Sequence, residues 1–197
     1  MNKTLEFKLP YIRLAQMPKD YVTVSVVVDG GRGVANAIKI LANLLLVAIR
    51  QMNVKLYLIN FVGGTAATEV PTDAEAKICI PKDDAEQFYT LCQQCNGAIR
   101  QQYFETDSEV AVEVDDDVWH GGVVNEEGTH LILAALNGIP TGKVDGITSN
   151  NIGSLRQSPK EYVVTTMQQS DSQEALDALS DNISKIFTLV GATVREL

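Results

Sequence analysis

Two short stretches of this sequence have the residue types and spacing of a chemical site. The first is Val26-Val27-Val28-Asp29-Gly30-Gly31-Arg32-Gly33-Val34-Ala35-Asn36-Ala37-Ile38-Lys39, a β-branched run, a glycine-rich turn and a helix start. Such a turn cradles phosphate when backbone N–H groups at a helix N-terminus point at the anion. The fingerprint is incomplete. Gly31-x-Gly33 is present, but Asn36 stands where a dinucleotide loop has its third glycine, and no Lys-Ser or Lys-Thr follows as in a P-loop. The second stretch is Cys92-x-x-Cys95, the spacing of half a zinc site or of a redox pair. On a helix, i and i+3 share a face, here the apolar one, and no second pair of ligands follows. The two thiols read as core residues. His120 and His130 lack the spacing of metal ligands, and no serine sits in a nucleophile elbow. Nothing here forms a catalytic set.

The composition narrows the function classes further. The chain has 197 residues, 45% hydrophobic and 21% charged, enough for one large domain or two small ones with a real core. A net charge of −9 argues against nucleic acid and against an anionic membrane surface, both of which call for a basic face. No apolar run approaches the roughly 20 residues of a membrane span, and MNKTLEFKLP lacks the apolar core of a signal peptide. Three cysteines without framework spacing suit a reducing cytoplasm.

The elements that must position these residues follow from periodicity. Leu5, Phe7 and Leu9 alternate with Glu6 and Lys8, and YVTVSVVV at 21–28 is the strongest strand. From Val34 to about Met52 the positions Val34, Ile38, Leu41, Leu45, Ala48 and Ile49 keep helical spacing. Strands are expected at 54–61 and 76–80, a helix over 83–103 with Asp83 and Glu86 at its start, and a strand through Val110, Val112 and Val114. Asp115-Asp116-Asp117 reads as a solvated turn. Residues 21–115 thus read β-α-β-β-α-β, the split βαβ or ferredoxin-like unit. A second, less regular copy follows over 124–197: a helix at 129–137, strands at 151–157 and 161–168, a helix over 172–190 and a closing strand in ATVREL. It lacks a first strand, which residues 4–10 can supply. The expected fold is α+β: a single body over 1–197, a two-layer sandwich with an antiparallel sheet and helices on one face.

Several segments together resemble one family. The strand before GRGVANAIKILANLL, the later INFVGGT, the helix opening IPKDDAEQF and the stretch NGIPTGKV are similar, in order, to the lid domain of the di-zinc aminoacyl-histidine (Xaa-His) dipeptidases. The resemblance spans about residues 5–197. It implies a domain that covers the active site and mediates dimer contacts, with the zinc ligands and general-base glutamate in a separate catalytic domain that has no counterpart here. It also implies three departures. The family's Gly-Gly-His-Ser-Gly segment after the first strand is missing, so that Asp29-Gly30 runs straight into Gly31-Arg32-Gly33 and the glycine turn resembles a splice. After Gly63-Gly64-Thr65 the family's arginines and asparagine are replaced in Ala66-Ala67-Thr68-Glu69-Val70-Pro71-Thr72, and residues 140–150 resemble a shortened counterpart.

The expectation is a non-catalytic structural or interaction domain, engineered or minimised, with a natural fragment of a divergent relative as the other origin. Its remnant of the substrate-facing loop would be Gly63, Gly64, Thr65 and Thr68. No cofactor is expected, the family's zinc belonging to the other domain. The implied partners are a second copy or a catalytic domain, not nucleic acid or membrane. An amino-acid-binding module of ferredoxin-like type is the alternative, with Gly63–Thr65 offering backbone donors.

Overall fold

The computed structural model describes residues 1–30 and 34–197. The expected elements form, and several extend. Strand β1 is Asn2–Pro10, β2 Arg13–Leu14 and β3 Tyr21–Asp29; helix α1 is Ala37–Met52, followed by β4 at Tyr57–Gly63 and β5 at Asp73–Pro81. A 3₁₀ turn, Lys82–Asp84, leads into α2 at Ala85–Gln102; β6 is Ala111–Asp117, β7 Val123–Val124 and α3 Glu126–Gly138. The chain continues with β8 at Gly142–Lys143, β9 at Thr148–Gln157, β10 at Glu161–Ser170, α4 at Gln173–Leu189 and β11 at Thr193–Glu196.

Local chemistry sets the boundaries. Helix α1 starts three residues later than its apolar stripe suggests, because the Asn36 side chain accepts the Lys39 N–H at 3.1 Å and caps the helix there. Val34 is left outside and exposed. Helix α4 is capped by Ser172, which accepts the Ala175 N–H at 3.3 Å. The expected capping pair at the start of α2 is not made. There the Ala85 N–H bonds the Lys82 carbonyl, and the 3₁₀ turn carries the backbone into the helix. The acidic triad is also not a turn: Asp115, Asp116 and Asp117 continue β6 opposite Ser25, Val24 and Thr23. They are tolerated because β6 is an edge strand, where charge discourages further pairing. Asp117 meets Lys77 at 3.0 Å, and Asp116 accepts the Tyr89 hydroxyl.

The main sheet has the order β11-β1-β10-β9-β4-β5-β3-β6, with β8 added beside β9, and its ladders are antiparallel. Each half repeats one pattern. In the first, β6-β3-β5-β4, and in the second, β11-β1-β10-β9, the first strand lies between the fourth and the third, as the split βαβ order requires. Strand β1 completes the second half. Ile38, Leu41 and Leu45 of α1 are fully buried in one cluster with Val24, Val26, Val110 and Val112. The same cluster holds Leu5, Phe7, Tyr162 and Val164, with the Phe7 and Phe187 rings stacked 4.0 Å apart. One element has no sequence signal. The ribbon β2–β7 covers a separate small cluster of Ile59, Cys79 and Val123, with Met17, Tyr21, Tyr57 and Trp119 around it.

Candidate functional site

The two halves of the sheet meet along β4 and β9 through a single backbone pairing, Gly63 opposite Leu155. Both strands are bulged, at Ile59 in β4 and at Gly153 in β9, and the β4–β9 ladder holds this one pair. Side-chain amides take over where the ladder stops. The Gln157 carboxamide accepts the Phe61 N–H at 2.7 Å and donates to the Ile59 carbonyl at 3.2 Å, standing in for a peptide group. Toward the other end, Asn36 donates to the Ile152 carbonyl at 3.0 Å and to Asn151 Oδ1 at 3.1 Å. Asn151 in turn donates to the carbonyls of Ala67 and Glu69, at 3.1 and 2.6 Å.

The loop flagged by the sequence lies on this seam. Gly63 ends β4, where a methyl group would fall 2.8 Å from Ile38 Cγ1. Gly64 has φ +64, and a Cβ there would come within 2.2 Å of the Gly153 carbonyl oxygen. Its N–H is engaged by the Asp73 carbonyl at 3.3 Å and is no free donor for a ligand. Thr65 and Thr68 are exposed, and the Thr65 carbonyl accepts from Arg156 at 3.5 Å. The four residues follow one another from the end of β4 into the loop after it. Gly31, Arg32 and Gly33, which carry the splice reading, lie outside the described residues.

Sequence reasoning passed over Lys39, although it ties two helices together. Its Nζ donates to the carbonyls of Leu136, Asn137 and Ile139 at 2.9, 2.7 and 2.7 Å, at the C-terminal end of α3. A cation is favourable at that end of a helix. Burial opposes the charge and pulls the amine down to about 8. Lys39 lines a groove of about 570 Å³ between α1, α2 and the end of α3. The only available signal was a lysine in the first turn of a helix, which is uninformative alone.

Cys92 and Cys95 share a face of α2 and pack against the core, as their spacing implies. Burial pushes the Cys92 and Cys79 thiols up to about 12, which keeps those two protonated, and also raises Cys95. His120 is exposed, and His130 sits on α3. Among the described residues no three His, Cys, Asp or Glu side chains gather to hold a metal ion. No helix among the described residues is long and apolar enough to cross a membrane.

The ends of several strands and the loops beside them gather at one end of the sheet. Asp29 pairs with Asp73, which places the ends of β3 and β4 and the start of β5 together. Thr148 pairs with Ser170 and Asn2 with Gln169, which brings the starts of β9 and β1 to the same rim. Exposed aliphatic side chains stand along it, Val34, Val70, Val144 and Ile147.

No protein-family model matches the sequence, and no curated protein matches it. Among solved structures, the chain superposes on the aminoacylhistidine dipeptidase of Vibrio alginolyticus with a TM-score of 0.88 and 17% identity. That match covers 100% of this chain and 44% of the dipeptidase, so the chain spans less than half of that protein's length. A dinuclear metal-binding peptidase of the M20 family from Bacillus subtilis matches at a TM-score of 0.33, with 14% identity over 92% of this chain and 54% of that one. The chain has the fold of a part of the Vibrio dipeptidase.

Proposed function

We propose that the chain is a non-catalytic structural and interaction unit, of the kind that forms the lid of a zinc Xaa-His dipeptidase. The observation that supports it most is the superposition of the whole chain on 44% of such an enzyme. The rim of the sheet where β3 and β4 end agrees with it. The exposed aliphatic residues Val34, Val70, Val144 and Ile147 stand at the same rim, where a partner would cover them. The partner in this reading is a catalytic body of the dipeptidase type.

The shortened segments belong to the same reading, whether cut by design or by divergence. Residues 142–150 form a tight hairpin closed by Asp145, whose carboxylate accepts the N–H groups of Ile147 and Thr148 at 2.8 and 2.7 Å. The test is direct. The purified protein is assayed on aminoacyl-histidine dipeptides with and without added zinc, and its metal content is measured. The expected result is no hydrolysis above buffer and no stoichiometric zinc. Zinc-dependent turnover that follows the monomer through successive columns would overturn the proposal.

A further inference from the structure

Residues 64–71 form no regular structure, yet they lie flat across the seam between β4 and β9. The close approach is made by glycine. A Cβ at Gly153 would fall 2.4 Å from Ala67 Cα and 2.5 Å from the Ala66 oxygen, so the loop rests directly on the bulged backbone of β9. What holds it there is limited. Pro71 is its single buried residue, whereas Thr65, Thr68, Glu69 and Val70 face solvent. Its roots are fixed by the Gly64 N–H to the Asp73 carbonyl and by the Ala37 N–H to the Pro71 carbonyl at 3.1 Å. Between the roots, the Asn151 amide supplies the two short bonds to Ala67 and Glu69, and Arg156 adds a long one at 3.5 Å. Asn151 is itself held by Asn36, the cap of α1.

We infer that residues 64–71 are a strap latched by Asn151, which lifts off the seam as a unit while the two halves of the sheet stay folded. A segment with one buried side chain and a few exposed or part-buried hydrogen bonds belongs to the low end of the range of local stabilities. Lifting it uncovers the backbone of Gly153 and leaves the β3–β5 and β1–β10 ladders intact. The inference rests on the latch geometry and is independent of the lid reading.

Native-state hydrogen exchange on the full chain tests it, followed at the Glu69 amide, which bonds the Ala66 carbonyl within the strap. In the wild type, the Glu69 exchange rate should hold constant through low denaturant, while the β3 and β5 amides quicken. Glu69 exchanging with the denaturant dependence of those strands would overturn the strap, since it would then open only by global unfolding. The second arm is Asn151→Asp, which keeps the acceptor for Asn36 and loses both donors. Glu69 exchange should rise about tenfold, the loss of roughly one to two hydrogen bonds, with β3 and β5 unchanged. An unchanged Glu69 rate in a folded variant would remove Asn151 as the latch.

Discussion

At the scale of single residues, two glycines separate close packing from ordinary helix propensity. Gly153 has backbone from residues 66 and 67 where its side chain would be. Gly153→Ala should therefore cost about 1–3 kcal/mol in urea unfolding, as overpacking does. Gly97 lies mid-way along α2 with nothing within 4 Å of a Cβ, and Gly97→Ala should stabilise by about 0.5–1 kcal/mol. If the two variants behave alike, the packing of the strap on Gly153 is wrong. The sequence marked Gly63 and Gly64 but not Gly153. A Gly-Gly-Thr string after an apolar strand is visible locally, and it suits a ligand loop and a turn equally well. The constraint on Gly153 comes from a distant segment that only the fold brings near. Asn151, Gln157 and Asn36 are illegible for the same reason, since an amide side chain carries no sign of which carbonyl it will meet.

At the scale of elements, the helices and long strands were readable because their apolar periods are strong. Leu5, Phe7 and Leu9 announce β1, and the stripe through Leu41 and Leu45 announces α1. Two-residue strands have no period to read, so the ribbon of β2 and β7 stayed hidden. The acidic end of β6 misled because charge on an edge strand looks like a solvated loop. The tie between α1 and α3 gives the prediction at this scale. Lys39 falls from 10.5 in the unfolded chain to about 8 on burial. The unfolded state then binds more protons between those values, so stability should rise with pH across that window and stay flat below about 8. The neutral amine keeps two N–H donors for the α3 carbonyls while shedding the cost of a buried charge. The measurement is the unfolding free energy of wild type minus Lys39→Met from pH 7 to 10.5, which cancels the titration of the tyrosines. A flat difference would mean that the three carbonyls hold the ammonium charged and offset its burial.

At the scale of the whole molecule, the question is whether the halves behave as one body. Their strand pairing is a single pair, Gly63 with Leu155, which alone would let them part. The core argues the other way. One continuous cluster contains Val24 and Val26 of the first half with Phe7 and Val164 of the second. Helix α1 spans the join, capped by an asparagine that bonds Ile152 and tied through Lys39 to the end of α3. Separating the halves would expose the apolar face of α1 to water, at about 25 cal/mol for each Å² uncovered. A few side-chain amides at the seam count for little against that, at about 1 kcal/mol each. Equilibrium unfolding in urea should therefore show one transition, with near-UV and far-UV circular dichroism coinciding. Local lifting of the strap lies beneath this transition and exposes too little surface to change its slope. Two resolved steps, with the tyrosines of the second half, Tyr11 and Tyr162, melting apart from the first half, would show that the seam and not the shared core sets the cooperative unit.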